Sequence, residues 1–258
     1  SKALTTLGNS VRFLSMVGSD TARILVRAAL EKDGINGKYV IDGLETTPQS
    51  AILYDRNGTR QINVDLKDIQ ERAYPQVLFE QALNGCSIAI LSNINFSRPF
   101  LEAAKRAGKT VVTDVHAISN IEDDYNRDYM AAADILFMSH ELLPTSPEDW
   151  ARWVMHRYGT EVVVIGLGAD GALLGVKSHH HVERVPAMRT RPVVNTIGAG
   201  DALLSAFVHV YNQTRNPYDA IRRAMVYASY KIGAASAADG FLSQDAFDDL
   251  CRQAHITV

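Results

Sequence analysis

Strand-like apolar runs and amphipathic helical segments alternate along most of the chain. Repeated strand–helix units are typical of a parallel sheet with helices on both faces and ligand-binding loops at the carboxyl ends of its strands. We therefore predict an α/β fold. Strands are predicted at 11–18, 87–94, 110–115, 134–139 and 161–168, and helices at 20–34, 97–108, 124–133 and 147–159.

One stretch breaks this rhythm. Ile52, Tyr54, Ile62 and Val64 alternate with polar neighbours on either side of Asn57-Gly58. Alternation around an Asn-Gly pair is a strong signal for a β-hairpin. We predict a small β lid inserted at about 38–66, within a single domain that spans residues 1–258.

Composition and charge exclude several classes of protein. A net charge of -3 gives no sign of nucleic-acid or membrane-surface binding, so an anionic ligand would need a local site. The cysteines Cys86 and Cys251 are isolated, which argues against a disulfide framework or a zinc site. No apolar run approaches ~18 residues, and no signal-peptide pattern opens the chain. We predict a cytoplasmic protein with no nucleic-acid or membrane partner.

Two glycine motifs are candidates for phosphate binding. The first, Gly166, Gly168 and Gly171, has the G-x-G-x-x-G spacing of a dinucleotide-binding fingerprint and follows a strand-like run. That fingerprint requires a helix directly after the glycines. Residues 172–187 read instead as short strands around a polar turn, so the context argues against a dehydrogenase.

The second motif does precede a helix. Gly198, Ala199 and Gly200 come before a segment whose apolar residues fit one helical face. The unpaired N–H groups of a helix start can bind an anion, and glycine lets a phosphate approach the backbone. Asp201, in the first turn, is either a helix-dipole residue or a base that accepts a proton from an attacking hydroxyl. Beside a phosphate-binding turn, the base is the better interpretation.

Here the sequence resembles the PfkB family of carbohydrate kinases. The family signature D-T-x-G-A-G-D matches Asn195 to Asp201, which read N-T-I-G-A-G-D. Residues 1–8 are similar to a family helix, residues 46–62 to the lid strands, and residues 162–174 to the strand and nucleotide loop. The resemblance implies a ribokinase-like parallel-sheet α/β sandwich with a small β lid.

The resemblance also implies an activity and a set of site residues. The protein is expected to move the γ-phosphate of ATP, with Mg²⁺, to a hydroxyl of a sugar or sugar-like alcohol. The anion hole and catalytic base are expected at Gly198, Ala199, Gly200 and Asp201. ATP contacts are expected at Gly166, Gly168, Asp170, Gly171, Thr196, Met225 and Ser236. Substrate contacts are expected at Asn93, Asp114 and Asp201.

Several positions depart from the family pattern. Asn195 replaces an Asp that helps to hold a monovalent cation in many members, and an amide carries no charge for K⁺, which argues against cation activation. The N-x-x-E motif linked to Mg²⁺ aligns with Ser139 and Leu142, so Glu141 is the predicted metal contact. The Gly-Gly segment of the family would precede Ser1, and we expect it and the N-terminal strand to be missing.

Two other functions remain open. The acceptor could be a nucleoside, bound by the same fold. The altered Mg²⁺ and cation motifs also allow a non-catalytic nucleotide- or sugar-binding paralogue, although the intact G-A-G-D argues against it. An exposed lid edge could pair with a second copy by strand addition, which would give a homodimer.

Overall fold

The computed structural model describes residues 1–54 and 60–256. Its strands are β1 (Ser15–Val17), β2 (Val40–Asp42), β3 (Gln49–Tyr54), β4 (Arg60–Asp65), β5 (Ile88–Ile90), β6 (Thr110–Ala117), β7 (Ile135–Ser139), β8 (Val162–Gly166), β9 (Ala172–Val176) and β10 (His181–Val185). Its α-helices are α1 (Lys2–Thr6), α2 (Thr21–Lys32), α3 (Gln76–Leu83), α4 (Arg98–Arg106), α5 (Arg127–Ala132), α6 (Pro147–Tyr158), α7 (Ala199–Thr214), α8 (Pro217–Lys231) and α9 (Gln244–Gln253).

A six-stranded sheet in the order β10-β9-β8-β7-β6-β5 forms the centre of the fold. Strands β5 to β8 are parallel, which confirms the predicted α/β architecture. Strands β9 and β10 run antiparallel, because only a short turn joins β8 to β9 and leaves no room for a crossover helix. No helix among the described residues is long and apolar enough to cross a membrane.

Helices cover both faces of this sheet. Along β7 and β8, alternate residues enter two separate apolar clusters, as expected for strands that are buried on both sides. One cluster joins Leu136 and Val163 to α3, α4, α5 and α6. The other joins Phe137 and Val164 to α7, α8 and α9. The sheet therefore holds α7 and the carboxyl end of β6 in fixed positions.

Strands β3 and β4 form a separate antiparallel pair. Ile52 pairs with Ile62 and Ser50 with Val64, so the alternating apolar residues share one face, as their spacing predicts. Ile62 and Val64 are exposed on this face. The predicted Asn57-Gly58 turn lies outside the described residues.

The N-terminal part of the chain differs from the prediction. The strand predicted at 11–18 is confined to Ser15–Val17, and it pairs in parallel with β2 rather than joining the central sheet. Residue Arg12 reaches the end of α3 instead and donates hydrogen bonds to the carbonyls of Ala82 and Asn84. Helix α3 was not predicted from the sequence. It is short, and it buries Phe79.

The turn between β8 and β9 passes directly against the chain that leaves β10. Gly171 has a φ of +103°, and a Cβ at this position would lie 2.1 Å from the Val185 carbonyl oxygen and 2.6 Å from the Ala187 nitrogen. Only glycine fits such a close approach in this conformation. The glycine therefore has a packing role whatever it binds.

We expect Gly171→Ala to destabilise the protein by about 3 kcal/mol, since it adds backbone strain and a collision with main-chain atoms. Urea denaturation measures this change. Gly108→Ala is the matched control, because Gly108 has a φ of +66° but open space around its Cβ direction. The control should cost roughly 1 kcal/mol. Equal losses in the two variants would contradict the packing role.

Candidate active site

The start of α7 presents backbone N–H groups that the helix does not use. Gly198 has a φ of +75°, and its carbonyl accepts the first hydrogen bond of the helix from the Ala202 amide at 3.0 Å. The Ala199 amide is occupied, since it donates to the Thr196 carbonyl at 3.1 Å. The amides of Gly200 and Asp201 have no acceptor within the helix. They are therefore the two groups of the predicted anion hole that can receive a phosphate oxygen.

Space is open beside this turn. A Cβ built on Gly200 would meet no atom within 4 Å. The exposed Asp201 side chain borders a cavity of about 690 Å³ that follows the edge strand β5, and Asp114 and His116 border the same cavity. A cavity of this volume suits a small-molecule ligand. The structure thus brings together two of the three predicted substrate contacts, Asp114 and Asp201.

Asp114 lies where β6 becomes irregular. The register with β7 shifts between Asp114 and Ala117, and His116 adopts a left-handed φ of +57°. The His116 amide donates to the Asp114 carboxylate at 2.8 Å, and its Nδ1 lies 3.8 Å from the other carboxylate oxygen. Backbone strain of this kind is concentrated at functional sites. No sequence motif indicates a role for His116.

The charge state of Asp114 depends on its surroundings. Burial raises the pKa of the Asp114 carboxyl, His116 lowers it, and the negative charge of Asp201 raises it. The two carboxylates are therefore close enough to influence each other. Together with the two amides they define the candidate active site, in which Asp114 and Asp201 face one cavity.

Asn93 lies apart from this arrangement. Its side-chain amide donates to Asn126 at 2.9 Å, and its carbonyl accepts from the Tyr125 hydroxyl at 2.8 Å. It is not among the residues that line the cavity of Asp201. A substrate role for Asn93 stays a prediction.

The first glycine motif forms a loop at the carboxyl end of β8. His140 closes it, since its amide donates to the Gly166 carbonyl at 3.0 Å and its Nδ1 lies 2.9 Å from the same oxygen. Gly168 adopts a φ of +61°, and Asp170 ends the short 3-10 turn. Gly171 differs from the other two glycines because main-chain atoms already fill the space beside it. Nucleotide binding by this loop stays a prediction.

The predicted metal contact is isolated. Glu141 is exposed, and its amide donates to the Ser139 hydroxyl at 3.3 Å. Within residues 1–54 and 60–256, no group of three His, Cys, Asp or Glu side chains is placed to hold a metal ion. Magnesium binding through Glu141 stays a prediction.

The remaining predicted ATP contacts lie in different surroundings. Met225 is buried in the core on α8. Thr196 and Ser236 are exposed, in the upstream loop (residues 191–198) and the downstream loop (residues 232–240) respectively. The Ser236 hydroxyl donates to Asp239 at 2.7 Å. Both loops lie beside the start of α7, so Thr196 and Ser236 are near Gly198, and their ATP contacts stay predictions, as does that of Met225.

A buried lysine that sequence reasoning missed connects the two loops. The Lys231 ammonium donates to the Ile197 carbonyl in the upstream loop and, at 3.0 Å, to the Ser236 carbonyl in the downstream loop. Its side chain is fully buried. At the end of an amphipathic helix, Lys231 reads in the sequence as a favourable C-terminal charge, and nothing there indicates that it turns inward.

Known proteins match the chain over most of its length. It is 27% identical to a 1-phosphofructokinase of Haloferax volcanii, with 90% of this chain and 76% of the relative covered. It is 25% identical to a 5-dehydro-2-deoxygluconokinase of Clostridium perfringens, with 97% of this chain and 81% of the relative covered.

Solved structures share the fold. A microbiome-derived acarbose kinase superposes with a TM-score of 0.87 at 24% identity and covers 97% of this chain and 84% of its own. The ribokinase of Thermotoga maritima gives a TM-score of 0.77 at 20% identity, with 97% and 85% covered. The fold is thus ribokinase-like, as predicted.

The family assignment comes from a direct sequence match. The model of the "pfkB family carbohydrate kinase" matches residues 1–244. This match includes Gly198 to Asp201 and both loops beside them. The chain therefore belongs to the pfkB family of carbohydrate kinases.

Proposed function

We propose that the protein transfers the γ-phosphate of ATP to a hydroxyl of a sugar or sugar-like alcohol, with Asp201 as the general base. The observation that carries the proposal is the position of Asp201. Its carboxylate borders the same cavity as Asp114 and shares the first turn of α7 with the two available amides. A base and an anion-binding group thus lie side by side at the mouth of a ligand-sized cavity.

The chemistry follows from these positions. An acceptor hydroxyl in the cavity loses its proton to Asp201 as its oxygen bonds to the γ-phosphorus, and the bond from that phosphorus to the β-phosphate oxygen breaks to release ADP. The amides of Gly200 and Asp201 stabilise negative charge on the transferring group. Transfer of this kind depends on positioning and electrostatics rather than on a covalent enzyme intermediate.

Kinases of this family use ATP, and we place the nucleotide along the two glycine-bearing loops. Gly166 fits a close approach, because the nearest atom to its Cβ direction is the Met138 carbonyl oxygen at 3.8 Å. Mg²⁺ enters with the phosphates, which supply most of its ligands in such sites. The described residues form no cluster of protein ligands for it, so we derive no step from the ion.

The cavity favours an acceptor without a phosphate group. Arg12 borders the cavity, but its guanidinium already donates to carbonyls at the end of α3, among them that of Ala82 at 2.7 Å. The carboxylates of Asp114 and Asp201 would repel a second anion. Asp114 is suited to accept a hydrogen bond from another hydroxyl of the acceptor, which would orient a polyol for attack.

Asp201→Asn should lower kcat by about 10²–10⁴-fold, because it removes the proton acceptor. ATP affinity should change little, since the amides of the turn remain. ADP release and a separate ATP-binding titration measure the two effects. Asp219→Asn is the matched control, because Asp219 occupies the first turn of α8 but does not border the cavity. Near-normal turnover in Asp201→Asn would exclude the assigned base.

Asp114→Asn should raise the melting temperature of the ligand-free protein at pH 7 more than at pH 4. The pKa of Asp114 in the folded protein is raised above its unfolded value of about 3.9. The native state therefore holds this proton more tightly than the unfolded chain, and stability is lost as pH rises through the raised pKa. In Asp114→Asn this position no longer ionises, so the variant avoids the loss of stability that ionised Asp114 causes at pH 7.

Thermal denaturation at the two pH values measures the difference. Asp124→Asn serves as control, because the Asp124 side chain is 95% exposed and the substitution changes the same charge. A gain in melting temperature that is equal at both pH values would contradict the electrostatic cost assigned to Asp114.

We also infer that two copies pair through the lid. Ile62 and Val64 are 48% and 57% exposed on the apolar face of β4, and contact with a second lid would bury them. Replacing both with Thr should shift the protein from dimer to monomer in sedimentation experiments. Replacing Gln61 and Asn63, on the opposite face, should not. A monomeric wild-type protein would exclude the pairing.

The acceptor class is tested by measuring ADP release from Mg-ATP with pentoses, hexoses, sugar acids, sugar phosphates and nucleosides. We expect turnover with a neutral sugar or polyol, lost in Asp201→Asn, and little turnover with the anionic sugar acids and sugar phosphates. Selective turnover of a nucleoside would establish the other acceptor class. Nucleotide binding without turnover of any acceptor would overturn the proposed kinase activity in favour of a binding protein.

A further inference from the structure

Lys231 places a positive charge inside the protein, next to the anion-binding turn. An ammonium group is costly to bury unless hydrogen bonds compensate it. Here two carbonyls do so, Ile197 from the upstream loop and Ser236 from the downstream loop. Each carbonyl presents the negative end of its dipole to the ammonium. The arrangement resembles the oxygen cage of a bound cation, with a side chain of the protein in its centre.

The lysine lies directly beneath the turn. Ile197, whose carbonyl it binds, is the residue before Gly198. A Cβ on Gly198 would lie 3.3 Å from the Lys231 Cε and 2.9 Å from the Ala237 carbonyl oxygen. The stem of the lysine and the downstream loop therefore pack against the residue that sets the direction of the Gly200 and Asp201 amides.

Three charged side chains affect the pKa of the Lys231 ammonium. Burial lowers the pKa of Lys231, whereas the carboxylates of Asp201 and Asp239 raise it and Arg191 lowers it. The negative charge of Asp201 thus favours the charged form of Lys231. Lys231 thus contributes both a mechanical link between the loops and a positive potential at the turn.

Asn195 completes the same junction. Its side-chain N–H₂ donates to the Ala235 carbonyl at 3.0 Å, and its side-chain oxygen accepts from the Ile197 amide at 2.9 Å. A carboxylate at this position could accept the second bond but could not donate the first. Three carbonyls at this junction therefore accept hydrogen bonds from N–H donors of the chain, those of Ile197, Ala235 and Ser236. The donor to Ile197 and Ser236 is the charged ammonium of Lys231.

We propose that Lys231 is a built-in cation that positions the anion-binding turn, so that phosphoryl transfer by this protein does not depend on a monovalent metal ion. The inference rests on the proposed function of the turn. Lys231 acts through the Ile197 carbonyl and does not touch the substrate, so it is a positioning residue.

The first test uses the wild-type protein and the acceptor that it turns over. Initial rates are compared in potassium, sodium, ammonium and choline chloride at constant ionic strength. The expected result is the same rate in every salt within about a factor of two, since the carbonyls already have their donors. Strong activation by potassium or ammonium over choline would overturn the proposal. Absence of turnover with every acceptor would count instead against the proposed function.

The second test removes the internal cation. Lys231→Ala should reduce kcat by about tenfold to a hundredfold, because small displacements of a positioning element are costly. Ammonium, methylammonium or potassium should restore part of the rate, whereas choline, which is too large for the space, should not. Such selective rescue is a readout that a purely structural role of the lysine would not produce.

Lys177→Ala is the matched control. Lys177 also donates to a main-chain carbonyl, that of Gly159 at 3.3 Å, but it is exposed. Its rate should be normal and insensitive to cations. Where Lys231→Ala fails to fold, Lys231→Gln keeps an N–H donor without the charge and is tested in the same salts. A folded Lys231 variant with a normal rate, or with a reduced rate that no small cation improves, would refute the positioning role.

Discussion

The left-handed conformation of Gly198 is the constraint on which the candidate site depends. With a φ of +75°, this residue ends the upstream loop and lets α7 begin at once. A side chain here would meet the Ala237 carbonyl oxygen at 2.9 Å, so the turn and the downstream loop approach closely only because the residue is glycine. The amides of Gly200 and Asp201 then lie in the first turn of α7, where the helix supplies no acceptor for them. The proposed anion binding, the position of Asp201 and the burial of Lys231 all follow from this one backbone geometry.

The central sheet fixes the positions of Asp201 and Asp114. Helix α7 buries Ala202, Ala206 and Phe207 against one face of the sheet, so Asp201 is attached to a rigid element. Asp114 comes from the sheet itself, at the end of β6. The two carboxylates thus belong to two elements that pack together, which is the arrangement that holds catalytic groups most accurately. The irregular backbone around His116 lies between Val115 and Ile118, which are both buried and hold it in place.

The hydrophobic periodicity and the glycine motifs of the sequence predict the fold and the start of α7. The buried strands are continuous apolar runs, and the G-A-G-D turn precedes an apolar helical face, so the fold and the start of α7 could be predicted from local pattern. The features that could not be predicted from the sequence depend on tertiary contacts. The space beside Gly171 is filled by residues that follow it by more than a dozen positions, and the inward turn of Lys231 is set by carbonyls of two loops. The left-handed His116 carries no local signal, because only a small fraction of histidines adopt that conformation.

Asn195 departs from the family pattern, and its effect on the site depends on Lys231. Taken alone, Asn195 removes a negative charge that helps to hold a monovalent cation in many members, and a weakened site would follow. In our proposal Lys231 supplies the positive charge at this junction, so no such ion is needed. In this chain Asn195 is neutral and Lys231 carries one positive charge. The turn therefore faces a positive potential, which favours the negative charge of a transferring phosphoryl group. Replacement of the acid is then a change in how the cation is supplied, and it leaves the electrostatic requirement of the reaction satisfied.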